Sequence, residues 1–361
     1  MHKAGVLNQR EISTKKAILF SLVLSSLVLI SLEGAIRVWA YYFRTPYERY
    51  NPTLRRYALI PNTRFAMPDG KEFVVNSRGF AGPEFEAQPS EGVYRIFALG
   101  DSCTLGYWKY VYPSMLQDLL NSTHAGKKYE IINAGIEGYN SEYALARLKE
   151  DILQYSPRMV TIYIGWNDLM KIDPTKAAGS ASFAWISRLL ERSYLAKAYK
   201  KVIFFYLRPL ILRPALSATE SDDHSFDDFV PVGFRQNVEG MIEILREKDI
   251  TPVLFTLPTV VTPDMSYEEL QRHRVFFPYY AGSYSVARFL SLHRAYNNVI
   301  RSIGSQRHVA VVDLDAIFNR HDTRDLFWDT MHPSAKGQRL IAESLAQKLQ
   351  ELLKREERRR P

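Results

Sequence analysis

The sequence predicts a three-layer α/β/α sandwich preceded by one membrane-spanning helix. Three observations lead there. Five short apolar runs, rich in Val, Ile and aromatics, recur from Tyr94 to Leu314, and such runs suit strands buried on both faces of a parallel sheet. Helical periodicity occupies spans between them, and this alternation folds into a sheet covered on both sides through right-handed crossovers. Near the N-terminus, residues 17–32 read AILFSLVLSSLVLISL, sixteen residues without charge or proline.

The first element is the apolar helix. Sixteen residues at ~1.5 Å each span about 24 Å, short of a hydrocarbon core of roughly 30 Å. The run continues as EGAIRVWAYYF, where only Glu33 and Arg37 are charged. A helix reaching about Tyr42 lets Arg37 snorkel and sets Trp39, Tyr41 and Tyr42 at the interface. Glu33-Gly34-Ala35 and Val38-Trp39-Ala40 make poor cleavage sites, so the reading is a retained anchor rather than a cleaved signal peptide. Lys3, Arg10, Lys15 and Lys16 precede it, against Arg37, Arg44 and Arg49 after it. That bias points the N-terminus to the cytoplasm and the main domain to the extracytoplasmic side. The expected organisation is therefore a cytoplasmic tail over 1–16, an anchor over 17–42, a linker and lead-in over 43–90 and an α/β domain over 91–355.

Within that domain the predicted strands are YRIFAL (94–99), YEIINA (129–134), RMVTIYI (158–164), TPVLFTL (251–257) and HVAVVDL (308–314). Helices are predicted over 140–155, with Asn140 or Ser141 as N-cap, over 233–249, and from Ser334 to about Lys354. Residues 170–230 interrupt the alternation with an apolar, basic portion (193–216) and an acidic one (217–228). A second insertion near 259–290 contains FFPYY at 276–280. These insertions read either as helices packed on the sheet or as a lid or membrane-facing surface.

Composition narrows the function classes. A chain of 361 residues that is 46% hydrophobic can bury a sizeable core and is neither disordered nor fibrous. Its net charge of +8 is spread along the chain rather than gathered in a stripe, which argues against a nucleic-acid partner. The single cysteine, Cys103, excludes an intramolecular disulfide and a thiolate zinc knuckle.

Four motifs follow predicted strands, where open α/β sheets place their sites. Leu99-Gly100-Asp101-Ser102 closes the first; Gly100 permits a tight turn and Ser102 starts the next helix, exposing its hydroxyl and N–H. Asn133-Ala134-Gly135-Ile136-Glu137-Gly138-Tyr139-Asn140 follows the second, with Gly138 as a bare backbone donor or simply a turn glycine. Gly165-Trp166-Asn167-Asp168 follows the third, and the Asn167 amide either donates to the same oxyanion or forms an Asx-turn. Asp329-Thr330-Met331-His332-Pro333 precedes the last helix, and its Asp and His, three apart, can turn to one point, His332 as general base and Asp329 as its orienting partner.

Taken in this order, the four motifs resemble the GDSL/SGNH hydrolase superfamily over roughly residues 94 to 350. The resemblance implies a flavodoxin-like sandwich with a five-stranded parallel sheet. It implies Ser102 as nucleophile, Asp329 and His332 as the other triad members, and Ser102 N–H, Gly138 N–H and the Asn167 amide as an oxyanion hole. Asn76-Ser77-Arg78-Gly79-Phe80 is similar to a lead-in of anchored members. Two positions depart: Cys103 follows the nucleophile in GDSCTLG, and Trp166 stands where many members have Gly. Cys103 is read as a small buried side chain, and Trp166 either packs, narrows the pocket or stacks on a sugar ring.

The expected function is a membrane-anchored serine ester hydrolase that needs no metal and no organic cofactor. Its partners are an acyl-ester substrate (a small molecule, lipid or acylated glycan) and the membrane. An O-acyltransferase modifying cell-surface glycans would use the same acyl-enzyme, and a non-catalytic binding or assembly module is the third reading.

Overall fold

The computed structural model describes residues 13–43, 48–51, 56–66, 72–106, 111–123, 127–171, 193–196, 199, 226, 228–277 and 286–359. The chain divides into two compact units. The first contains helix α1, Thr14–Phe43, which is long and apolar enough to cross a membrane by length and composition. Most side chains from Ile18 to Trp39 on it are exposed.

The second unit opens with two small antiparallel sheets, β1 (Glu48–Asn51) with β2 (Arg56–Leu59) and β3 (Arg64–Ala66) with β4 (Glu72–Val74). The sequence reading had a linker here without these pairs. Strands of three or four residues contain too few alternations to register as a period. The lead-in is nonetheless pinned to the domain: Arg56 is ion-paired to Glu150 and Asp151, and the Tyr139 hydroxyl donates to the Tyr57 carbonyl. Asn76 shapes the turn, its Oδ1 accepting from the N–H groups of Arg78 and Phe80, and Phe80 is buried.

The main sheet has five parallel strands in the order β6-β5-β7-β8-β9: β5 Val93–Gly100, β6 Lys128–Gly135, β7 Met159–Tyr163, β8 Thr251–Phe255 and β9 Ala310–Val312. The predicted three-layer architecture and its five strands are present. The last strand is shorter than 308–314 because His308 takes a left-handed φ of 52° before it and Asp313 caps a helix after it. Because the chain leaves β5 for β6 on one side and later returns to β7 on the other, loops after β5 and β7 diverge, the arrangement that opens a crevice at strand carboxyl ends.

Helices cover both faces. In chain order they are α2 (Ser102–Leu105), α3 (Tyr112–Thr123), α4 (Ser141–Arg147), α5 (Trp166–Lys171), α6 (Val232–Glu247), α7 (Tyr267–Arg272), α8 (Val286–Gln306), α9 (Leu314–Phe318) and α10 (Ala335–Arg359). The helix predicted over 140–155 is capped by Asn140, whose side chain accepts from the Tyr143 N–H, but it widens into a π turn at Leu148–Ile152 and tightens at Leu153–Tyr155. Most of the 170–230 insertion, including much of 193–216 and nearly all of 217–228, lies outside the described residues, as do 278–280 of FFPYY; Phe277 is buried in the core.

One close approach fixes the geometry above the sheet. A Cβ at Gly135 would lie 2.3 Å from the Leu105 backbone nitrogen and 2.8 Å from its Cα, so only glycine lets α2 sit against β6. Both obstacles are backbone and cannot rotate away. Gly135→Ala is expected to reduce unfolding free energy by about 2–3 kcal/mol, and a thermal melt at the wild-type midpoint would contradict this packing.

Candidate active site

Asp101 follows β5 in an extended conformation and caps α2, its Oδ1 accepting from the Cys103 N–H at 2.9 Å. Ser102 is thereby the first residue of a helix at the carboxyl end of β5. A four-residue helix has little stability of its own, and α2 is held from two sides. The Asn133 amide donates to the carbonyls of Thr104 (3.0 Å) and Leu105 (3.1 Å), and the Gln338 amide donates to the Cys103 carbonyl (3.0 Å).

Facing Ser102 is the loop before α10. Ser102 Oγ lies 2.8 Å from His332 Nε2, and His332 Nδ1 lies 2.8 and 2.9 Å from the two Asp329 oxygens. An ionised carboxylate only accepts, so Nδ1 carries the proton and Nε2 is left to accept from the serine hydroxyl. Asp329 Oδ1 also accepts from the N–H groups of Met331 and His332, both at 3.0 Å. The loop is fastened at Thr330, whose carbonyl accepts from the Thr259 hydroxyl (2.7 Å) and the Val260 N–H (3.3 Å), and whose hydroxyl bonds the Phe276 backbone.

The electrostatics follow from this enclosure. Burial works to lower the His332 pKa, but the hydrogen bond and charge of Asp329, with the charges of Asp101 and Glu137, outweigh it and raise the value. Burial works to raise Asp329, yet the bonds from His332 and Met331 hold it below the usual carboxylate range. Asp101 is wholly buried, and burial pushes its pKa up to about 6 despite the Cys103 N–H and the nearby His332.

The remaining predicted residues lie on neighbouring loops. Gly138, with φ of +73°, stands between β6 and α4, and β6 ends at Gly135, paired across to Gly100. Asn167 is in the first turn of α5, its amide nitrogen 3.5 Å from the second Asp101 oxygen. Asp168, beside it, accepts from the Ser141 N–H (2.8 Å) and hydroxyl (2.6 Å), and the Asn237 amide donates to that hydroxyl (2.9 Å). The loop bearing Gly138 and the helix bearing Asn167 are thus tied together.

Ser102, His332 and Asp329 therefore form one hydrogen-bonded chain, and Asn167 is drawn beside Asp101. Sequence reasoning missed the fastening residues Asp101, Asn133, Asp168 and Gln338. Three of these stand inside the motifs themselves, and short polar side chains within three residues of a motif glycine were the available signal. The two departures also resolve physically. Cys103 is buried against the Met331 carbonyl, and burial pushes its thiol pKa up, away from the thiolate. Trp166 is fully buried and stacked on His293 with centroids 5.6 Å apart, so it packs in the core rather than meeting a sugar ring.

A serine hydroxyl bonded to an imidazole oriented by a carboxylate can attack a carbonyl carbon and form an acyl-enzyme. The family model for the GDSL-like Lipase/Acylhydrolase family matches residues 98–340. An arylesterase of Vibrio mimicus is 33% identical over 94 residues, covering 25% of this chain and 46% of that protein. The uncharacterized lipoprotein YqeF of Bacillus subtilis is 25% identical over 232 residues, covering 62% of this chain and 71% of its own length. The match thus spans about half the length of the arylesterase. Among solved structures, the acetyl xylan esterase AlAXEase aligns over 70% of this chain and 97% of its own at 18% identity, with a TM-score of 0.43.

Proposed function

The chain belongs to the GDSL-like lipase/acylhydrolase family, and on that premise we propose that it is a membrane-anchored serine ester hydrolase. The observation that carries this reading is the Ser102–His332–Asp329 hydrogen-bonded chain, closed at 2.8 Å on both sides of the imidazole. In this mechanism His332 takes the Ser102 proton as Oγ attacks the ester carbonyl. The Ser102 N–H, the Gly138 N–H and the Asn167 amide stabilise the tetrahedral oxyanion. His332 then protonates the departing alcohol, and water attacks the acyl-enzyme with His332 again as base. Purified protein is expected to release acid from a short-chain acyl ester. Supplying oligosaccharide acceptors in the same assay and analysing them by mass spectrometry distinguishes hydrolysis from acyl transfer, because transfer moves the acyl group onto sugar.

The raised His332 pKa gives a pH signature. Only the neutral imidazole accepts the serine proton, so the acid limb of kcat/KM is expected above pH 6.5, the ordinary histidine value. Asp101 is ionised above about pH 6, and its charge contributes to that elevation. Asp101→Asn is therefore expected to move the limb to lower pH; a pH–rate profile with the limb unmoved would count against this electrostatic assignment.

The anchor reading rests on α1 and the lysines at its start, and places the domain from about residue 44 on the extracytoplasmic side. Protease added to right-side-out spheroplasts is expected to digest the domain while a cytoplasmic control survives. Digestion only after lysis would reverse the orientation.

A further inference from the structure

Beyond Lys15 and Lys16 at its start, Glu33 and Arg37 are the charges on an otherwise apolar helix. At ~1.5 Å per residue Glu33 lies about 27 Å along α1 from Lys15. With the lysines at one headgroup level, it stands near the far boundary of a hydrocarbon core of roughly 30 Å. An isolated carboxylate at that depth is costly unless its oxygens are satisfied. Glu33 is satisfied by a segment some 160 residues away in the chain. It accepts from the Ser193 hydroxyl (2.8 Å), the Tyr194 N–H (2.9 Å) and the Leu195 N–H (2.7 Å). Arg37 Nε donates to it at 2.7 Å, and the Arg37 guanidinium lies 5.2 Å over the Tyr194 ring. Ser193 Oγ in turn accepts from the Ala196 N–H at 3.0 Å. These bonds satisfy backbone donors that would otherwise need water, as a water-poor setting requires.

The surrounding chemistry is interfacial. Tyr199 is 65% exposed, and Lys197, Lys200 and Lys201 flank it in a sequence that continues VIFFYL. Lysine interleaved with aromatic and aliphatic residues is the composition of segments lying in the headgroup–acyl boundary. The same compact unit holds α1 and Ser193–Ala196.

We propose that Glu33 and Arg37 dock residues 193–196 onto the membrane helix at the bilayer interface, giving the protein a second contact with phospholipid, through Tyr199, beyond the anchor itself. The proposal rests on the membrane-anchor reading and is independent of ester chemistry.

The test uses the full chain with Tyr199→Cys, spin-labelled and reconstituted in phosphatidylcholine–phosphatidylglycerol vesicles; the native Cys103 thiol is buried. Collision of the nitroxide with molecular oxygen is expected to exceed collision with a water-soluble nickel chelate. Adding Glu33→Ala is expected to raise nickel collision by about threefold or more, the scale of losing a set of capping hydrogen bonds. A label freely reached by nickel without Glu33→Ala, or one indifferent to that substitution, overturns the proposal. Flotation of the same vesicles separates the premises: protein that fails to float defeats the anchor reading and this inference with it. Protein that floats with a nickel-accessible label defeats the inference alone.

Discussion

Ser102→Ala is expected to lower kcat on a short-chain acyl ester by about 10⁴-fold or more. The substitution deletes the only atom that bonds the acyl carbon in the proposed mechanism. It leaves α2 clamped by Asn133 and Gln338, so loss of activity should not track loss of fold. A fluorophosphonate probe should label wild type and not this variant. Cys103→Ala should keep both labelling and turnover, since the neighbouring thiol is buried and its pKa is raised. Near wild-type turnover by Ser102→Ala would remove the nucleophile assignment. Failure of folded wild type to be labelled would favour a binding module.

Asp329→Asn carries the second largest expected effect, about 10³–10⁴-fold in kcat with KM little changed. The reason lies in how the carboxylate is already used. Its Oδ1 accepts from two backbone N–H groups, so the amide oxygen of Asn must occupy that position. The NH₂ group then falls where Oδ2 stood, 2.8 Å from His332 Nδ1. A donor there turns Nδ1 into the acceptor and drives the ring proton to Nε2, facing Ser102. The imidazole can no longer take the serine proton. Removing the carboxylate charge also lowers the His332 pKa, so the residual activity should show its acid limb at lower pH. Activity within tenfold of wild type would show that Asp329 does not set the tautomer.

The sheet and the residues of the candidate site were legible in the sequence for one reason: each is encoded locally. Strands buried on both faces read as unbroken apolar runs, as in β5, where Ile96 to Leu99 are all essentially inaccessible. Ser102 and the Asp329–His332 pair each stand within a few residues of a strand end or helix start. What escaped was non-local. Asp168 matters through Ser141, and Gln338 through Cys103 and Tyr112, pairings that no spacing rule exposes. The paired strands of the lead-in escaped because they are too short to carry a period. Trp166 stayed ambiguous for a related reason: its stacking partner, His293, lies more than a hundred residues away, so burial could not be read from its neighbours.

Asp329 and His332 share one loop, fastened through Thr330 to Thr259, Val260 and Phe276. A motion that shifts this loop as a whole would carry Asp329 and His332 together, their mutual distance held by bonds within the loop. The serine rides on a different support, α2, lodged between β6 and α10. In the proposed mechanism reactivity then depends on the gap between α2 and this loop, which the contact of Cys103 Sγ with the Met331 carbonyl and the Gln338 bond from α10 also bridge. Pressure, temperature or a ligand that shifts α10 should tune turnover by opening or closing that gap while the imidazole–carboxylate pair stays unchanged.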